Sequence, residues 1–429
     1  FELPYVYHKR YTSKSMQELS RYAVGLDVGT TTVRCVVGHI DGGTQVPTII
    51  GVGEAPNKGM RKGTVVTLMN VADAIDKALE GAERMSGHQI HSATFSINGT
   101  HIIGMSSRGV VAVGTQGHEI NHDDLARVEE AATVVQLPAN REILDVTPRG
   151  YQLDGQGNIK DPIGMTGVRL EVDAYVITAL TPHIKNLYKA AEMTKTGVKQ
   201  VVPAGLAAAR AVLNDQQIEN GVALIDIGGT TTNIAVYEEG DLRHVAILPM
   251  GGVNITNDLA IGLKTDLDIA EAVKLKHAVA IKSAREKDEK KVSVKIDKKT
   301  HEFATKEVDM IVEARLEEIF ELVNKELEKI GRAKKLPGGV VVTGGSAALK
   351  GIDECAKEAL DLPARVGKSH GYGGVTEKVD KTAFSTALGL MLLDLEDVGS
   401  HHSGSKAKSN LDVGSTINKI TGIFGKLRS

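Results

Sequence analysis

Two kinds of hydrophobic pattern alternate along this chain, and together they predict a mixed α/β protein. β-branched runs that end at acidic or glycine-rich turns read as strands, whereas apolar residues recurring at helical spacing read as amphipathic helices. Residues 68–85 are predicted helical from Val71, Ala74, Ile75, Ala78 and Leu79, and residues 311–330 repeat that period. The most informative pattern is an internal echo: Leu26-Asp27-Val28-Gly29-Thr30-Thr31-Thr32 returns as Ile225-Asp226-Ile227-Gly228-Gly229-Thr230-Thr231-Thr232. Each copy is an apolar run ending in Asp, a Gly/Thr turn and a second apolar run. This is the pattern of a tight β-hairpin, so two related halves are expected.

Between the halves, residues 93–177 read as a compact insertion with strands at 93–97, 109–113, 143–151 and 169–178. A helix over 123–135 lies inside it, capped by Asn121 or His122, with Asp123 and Asp124 in the first turn where the helix dipole favours acids. Gly155, Gly157, Asn158 and Pro162 mark a loop. A second, helix-rich insertion is expected at 255–335, and its charged stretch 282–299 reads as a solvated hairpin. An apolar helix at 383–393 closes the body, followed by a flexible Ser/Gly/His/Lys linker within 394–411. Residues 1–20 show no clear period and are expected to form a poorly ordered extension.

Composition narrows the class. A chain of 429 residues suits two to four compact units, and 41% apolar with 24% charged residues is the balance of a globular protein. Aromatics are 3% and Trp is absent, so the core is expected from Val, Ile, Leu and Ala. A net charge of -3 gives no global electrostatic argument for nucleic acid binding, so any basic patch must be local and nucleic acid is not an expected partner. Cys35 and Cys355 have no CxxC neighbour and are expected to be reduced, buried side chains. No run of about 18 apolar residues and no secretion pattern occurs, so a cytoplasmic protein that does not span the bilayer is expected.

The repeated hairpins carry the candidate chemistry. A triphosphate needs close backbone N–H donors, small side chains, hydroxyls, and carboxylates for a metal's water shell. Gly29, Gly228 and Gly229 supply the close approach, while Thr30, Thr31, Thr32 and Thr230 are hydroxyl candidates. Asp27 and Asp226 are candidate magnesium anchors acting through water. One such turn would equally suit a structural role; two copies point to a phosphate site. A third piece is the apolar run 340–343 entering Gly344 and Gly345, a strand-to-helix turn that suits a flat base or a phosphate. A fourth is Gly251-Gly252-Val253-Asn254 after the strand 245–250. Glu271 and Lys274, at i and i+3 of a helix, face one way; they suit ribose hydroxyls or a surface ion pair.

The order phosphate hairpin, phosphate hairpin, Gly-Gly turn resembles the actin, sugar-kinase and heat-shock-chaperone superfamily. Within it the chain resembles the bacterial FtsA cell division family. The segments that carry this are Gly117-His118-Glu119-Ile120, Pro148 with Leu153-Asp154-Gly155, and Asp161-Pro162-Ile163-Gly164-Met165-Thr166-Gly167. The resemblance runs from about 21 to 393 and implies an actin-like two-lobed fold of duplicated ribonuclease-H-like domains. Lobe one would be 21–92 with 178–213, and lobe two 214–254 with 336–393. Residues 93–177 would be an SHS2-type α+β insertion, and 255–335 a partner-binding subdomain. It also implies ATP contacted by Gly29, Thr30, Thr31, Thr32, Gly228, Gly229, Thr230, Gly252, Glu271, Lys274, Gly344 and Gly345. The implied partners are the C-terminal peptide of the tubulin-like protein FtsZ and further copies of the chain, on the cytoplasmic side of the membrane at the division site. One departure from the family is Tyr175, where a His is expected. At most slow ATPase activity is expected, and no residue is assigned a catalytic role.

The tail, 412–429, has one apolar stripe. Val413, Ile417, Ile420, Ile423, Phe424 and Leu427 share one helical face, and Lys419, Lys426 and Arg428 add positive charge. Such an amphipathic helix suits an anionic membrane surface; a helix docked on the body or on a partner is the other reading. A metabolite kinase would need a carboxylate base that the sequence does not single out. A chaperone would need a large domain after the ATPase, and a pilus-assembly relative would leave the tail stripe unexplained.

Overall fold

The computed structural model describes residues 21–400 except 42–45, 116, 136, 286–289 and 375–376. The expected extension 1–20, the later linker and the tail stripe lie outside the described residues. The chain divides into a body through Leu395 and a second unit from Glu396.

The body opens with β1 (Arg21–Val28), β2 (Thr32–Ile40), β3 (Thr48–Pro56), the short pair β4 (Met60–Arg61) and β5 (Thr64–Val65), α1 (Leu68–Ser86) and β6 (Ser92–Ile97). The insertion follows as β7 (Ile103–Ala112), α2 (His122–Thr133), β8 (Arg141–Leu153), β9 (Gln156–Ile159) and β10 (Arg169–Leu180). The chain returns through α3 (Thr181–Met193), β11 (Gly197–Pro203), α4 (Ala204–Val212) and α5 (Asp215–Asn220). The second half has β12 (Val222–Ile227), β13 (Thr232–Glu238), β14 (Asp241–Leu248), α6 (Gly252–Gly262) and α7 (Leu267–His277). Then come β15 (Lys291–Ile296), β16 (Lys299–Ala304), α8 (Thr305–Lys329), β17 (Val340–Thr343), α9 (Ile352–Leu360), β18 (Ala364–Val366), β19 (Gly373–Gly374) and α10 (Ser385–Ser400).

The duplication expected from the echo is written in the topology. One sheet runs β11-β6-β1-β2-β3-β19 and the other β14-β13-β12-β17-β18. In each, three antiparallel strands lead into parallel partners, β1 beside β6 and β12 beside β17. The central strands are apolar on both faces, as covered parallel strands require: every residue of β12 is buried. Helix α1 covers the first sheet with Val71, Ala74, Ile75, Ala78 and Leu79 buried, as the periodicity predicts.

Three expected boundaries are corrected. The strand at 93–97 does not belong to the insertion: β6 pairs with both β1 and β11. Its apolar run fits either sheet equally well, and only the parallel pairing decides. The last helix, placed with the second lobe by its sequence position, instead lies in the first lobe's core with Ala387, Leu388 and Met391. Gly25 permits this, because a Cβ there would stand 2.1 Å from the Ala387 carbonyl. The linker, expected from 394, is helical through Ser400, and Asp394 is fully buried. Its carboxylate accepts from the Val24 amide (2.9 Å), the Thr94 hydroxyl (2.9 Å) and the Lys199 ammonium (2.7 Å), pinning α10 across β1, β6 and β11.

The insertion is a four-stranded antiparallel sheet, β7-β10-β8-β9, with α2 on one face. Asn121 is the cap of α2: its side chain accepts from the Asp123 and Asp124 amides, and Asp124 closes the capping box. The hairpin expected at 282–299 lies further on, at β15 and β16 over 291–304, after a 3-10 turn at Lys282–Ala284, and it is two-faced. Val292 and Val294 are buried while Lys291, Ser293 and Lys295 face solvent. Cys35 and Cys355 are free and buried.

Replacing Asp394 with Asn leaves Lys199 without its counter-charge, and we expect a loss of about 2–3 kcal/mol in chemical denaturation. An unchanged midpoint would show that the clamp does not hold α10.

Candidate functional site

The two repeated turns meet. Antiparallel pairing closes the first hairpin at Val28 and Val33 and the second at Ile227 and Thr232. Where the turns face each other, a Cβ on Gly229 would stand 2.7 Å from the Thr31 methyl and 2.8 Å from its hydroxyl. Only a glycine permits this approach. The first turn is braced from behind: Asn57 donates from Nδ2 to the Gly29 carbonyl (2.8 Å) and from its amide to the Thr31 carbonyl (2.9 Å). The Gly63 amide donates to the Thr30 hydroxyl (3.0 Å).

The start of α6 lies directly on the second turn. The Gly252 amide donates to the Gly228 carbonyl (2.9 Å) and the Val253 amide to the Gly229 carbonyl (2.7 Å). From α7, Lys274 Nζ donates to the Gly252 carbonyl (3.1 Å) and the Thr256 hydroxyl (2.8 Å), and pairs with Glu271 at 2.7 Å. Thr256 also donates to Glu271. The Lys274 side chain is only 12% exposed, so this pair is built into the turn rather than a solvated surface pair.

After β17 the chain turns at Gly344, whose φ of +90° favours glycine, and passes into one 3-10 turn, Gly345–Ala348, rather than straight into an α-helix. A Cβ on Gly344 would stand 2.3 Å from Asp226 Oδ1, so this turn lies against the second carboxylate. Gly345 has open space where a side chain would stand. Ser346 donates to the Gly228 carbonyl (3.4 Å), and Thr382 holds the Gly344 carbonyl (2.8 Å). The two turns, the start of α6, the Glu271–Lys274 pair and the Gly344 turn therefore lie against one another.

Asp27 and Asp226 end the central strands of the two sheets. Asp27 Oδ1 accepts from Ser96 (2.8 Å), and Asp226 Oδ2 accepts from Asn233 (2.9 Å). Burial pushes the Asp226 carboxyl up to about 7, opposed by the Asn233 hydrogen bond and reinforced by Asp27 nearby. Burial raises Asp27 too, with Ser96 and the Arg34 cation opposing. Arg34 sits across from Asp27 in the β1–β2 register, over the Phe384 ring at 5.3 Å and 3.4 Å from Glu54. Its Nε makes that ion pair, whereas the Thr230 hydroxyl and the Asn233 Oδ1 are buried without hydrogen-bond partners. One unpartnered hydroxyl beside two buried carboxylates and the Arg34 cation fits an anion together with a cation. Among the described residues no three His, Cys, Asp or Glu side chains cluster as a metal cage.

Sequence reasoning missed Arg34, Asn57, Ser96, Asn98 and Thr382. A signal existed for two of them. Ser96 lies at the carboxyl end of β6 and Asn98 just after it, and ligand groups gather at the carboxyl ends of parallel strands. Asn98 donates to Thr231 at 3.1 Å, the link from that end to the second turn.

In ligand-free protein the raised pKa has a defined sign. Asp226 keeps its proton in the folded state up to about 7 but releases it near 3.8 when unfolded, so stability falls as pH rises between those values. We expect Asp226→Asn to flatten this slope, leaving the part that Asp27 contributes, and to stabilise the ligand-free protein by about 1–3 kcal/mol at pH 8. Parallel pH profiles of the two denaturation midpoints would contradict the buried-charge assignment.

A family model for the cell division protein FtsA matches residues 223–389, and one for the SHS2 domain inserted in FtsA matches residues 99–178. The chain is 36% identical over 374 residues to the FtsA of Pseudomonas aeruginosa, covering 87% of this chain and 89% of that protein. It is 38% identical over 369 residues to that of Bacillus subtilis, covering 86% and 82%. Among solved structures, a chain of a PilM–PilN type IV pilus biogenesis complex superposes with a TM-score of 0.63 at 16% identity, over 87% of this chain and 98% of that one. MreB5 of Spiroplasma citri bound to ADP superposes at 0.54 and 14% identity, over 90% and 99%. These two likenesses are of fold, and the fold is actin-like. The sequence matches, covering most of both chains, place this protein in the FtsA family of cell division proteins.

Proposed function

We propose that the chain binds ATP and magnesium between its lobes, assembles with copies of itself, and tethers FtsZ filaments to the cytoplasmic face of the membrane at the division septum. The observation that carries the nucleotide part is the contact of the two turns, Gly229 against Thr31. Gly29, Thr30, Thr31, Thr32, Gly228, Gly229 and Thr230 would face the phosphates, with the unpartnered Thr230 hydroxyl as a donor. Gly252, Glu271, Lys274, Gly344 and Gly345 would hold the nucleoside. Asp27 and Asp226 would hold magnesium through water, and the ion would offset the phosphate charge.

The partner surface is proposed between α6 and α8. There a cleft of about 320 Å³ is lined by Asp258, Ile261, Gly262, Ile311, Ala314, Arg315 and Glu318. Ile261 is 77% exposed beside Arg315, which pairs with Asp258 (2.5 Å) and Glu318 (2.5 Å). An apolar floor with a charged rim suits a short peptide carrying both kinds of side chain. No helix of the described residues is long and apolar enough to cross a membrane. The membrane contact is assigned to the tail stripe, Val413, Ile417, Ile420, Ile423, Phe424 and Leu427, with Lys419, Lys426 and Arg428 at the headgroups.

One flotation experiment with anionic vesicles, ATP and FtsZ tests these links. The intact chain is expected to float FtsZ, and deletion of 412–429 to leave both proteins at the bottom. Arg315→Glu is expected to float alone. FtsZ that floats equally with all three proteins would contradict the tether.

A further inference from the structure

The insertion belongs to the first lobe through the chain, yet its polar contacts reach the second. Arg149 on β8 donates from Nε to the Leu242 carbonyl (2.7 Å) and from Nη2 to the Arg243 carbonyl (2.6 Å), and it stacks over the Tyr175 ring at 4.3 Å. The Tyr175 hydroxyl accepts from the Val245 amide at 2.9 Å. Lys160 donates to the Glu239 carbonyl (2.9 Å) and the Asp241 carboxylate (2.8 Å). All of these partners lie on β14 or in the turn before it, and β14 is the edge strand of the second lobe's sheet.

Two details show that the contact is built. Gly104 on β7 makes room for the ring, since a Cβ there would stand 2.2 Å from the Tyr175 hydroxyl. The β13–β14 register shifts between the pairs Tyr237 with Leu242 and Val236 with His244, leaving Arg243 as the bulged residue whose carbonyl Arg149 takes. Beyond Leu248 the strand passes Met250, whose carbonyl accepts from Thr232 (2.9 Å), and runs into Gly251 and Gly252 at the second turn.

The insertion is continuous with β6 and α3 of the first lobe, so any motion that carries β14 away from that lobe must break these bonds. We propose that Arg149 and Tyr175 are positioning residues that latch the insertion to β14 and thereby hold the nucleotide cleft closed, slowing nucleotide release. The latch rests on the reading of that cleft as a nucleotide site. It touches no phosphate-side residue, so its effect falls on the dissociation rate rather than on capture.

The test is a stopped-flow chase of a fluorescent ATP analogue with magnesium from the full chain. Tyr175→Phe keeps the ring and removes only the hydroxyl. It is expected to release the analogue about fivefold faster, the effect of one lost hydrogen bond, with association changed less than about twofold. Arg149→Gln is expected to release it at least as fast; if that variant does not fold, Tyr175→Phe decides. Release within about twofold of wild type in the folded variants overturns the latch, even where melting temperatures fall, since that pattern is a purely structural role. A wild-type chain that captures no analogue overturns the nucleotide reading, and the latch with it.

Discussion

The contact between two turns from opposite lobes organises this protein. Gly229 has no side chain, and Thr31 occupies the space one would need. Each turn is then held by its own lobe: Asn57 and Gly63 brace the first, and the start of α6 braces the second. A phosphate tail placed here would meet backbone from both halves at once, which neither half offers alone. That is why the duplicated sheet topology matters to function: it brings equivalent strand ends, Asp27 and Asp226, to the same cleft.

Holding two carboxylates in that cleft is unfavourable without a cation. The structure answers partly with hydrogen bonds, from Ser96 and Asn233, and partly with Arg34, which lowers the cost of both charges. Asp226 still stands near 7, so the ligand-free cleft carries a residual electrostatic strain. On the proposal that magnesium binds here, the ion would relieve it and its binding would stabilise the fold.

Much of this was legible in the sequence because it is local. The hairpins declare themselves through Asp, Gly and Thr within a few residues, and Glu271 with Lys274 share a helix face by spacing alone. What failed was long-range. The run at 93–97 suits any buried strand, and only its pairing with β1 assigns it to the first lobe and places Ser96 on Asp27. The docking of α10 depends on close approach to Gly25 and on Asp394 reaching Val24 and Thr94, distances that no periodicity encodes. Tyr175 carried no local signal of its contact. Its hydroxyl accepts from the Val245 amide at the seam between the insertion and the second lobe, which only the fold brings together.

A crystal structure of this protein with ATP and magnesium tests the central claim most directly. The account predicts a triphosphate seated between Gly29 to Thr32 and Gly228 to Thr230, with the metal's water shell touching Asp27 and Asp226. A nucleotide lodged elsewhere, or the two turns standing apart around an empty cleft, would contradict it.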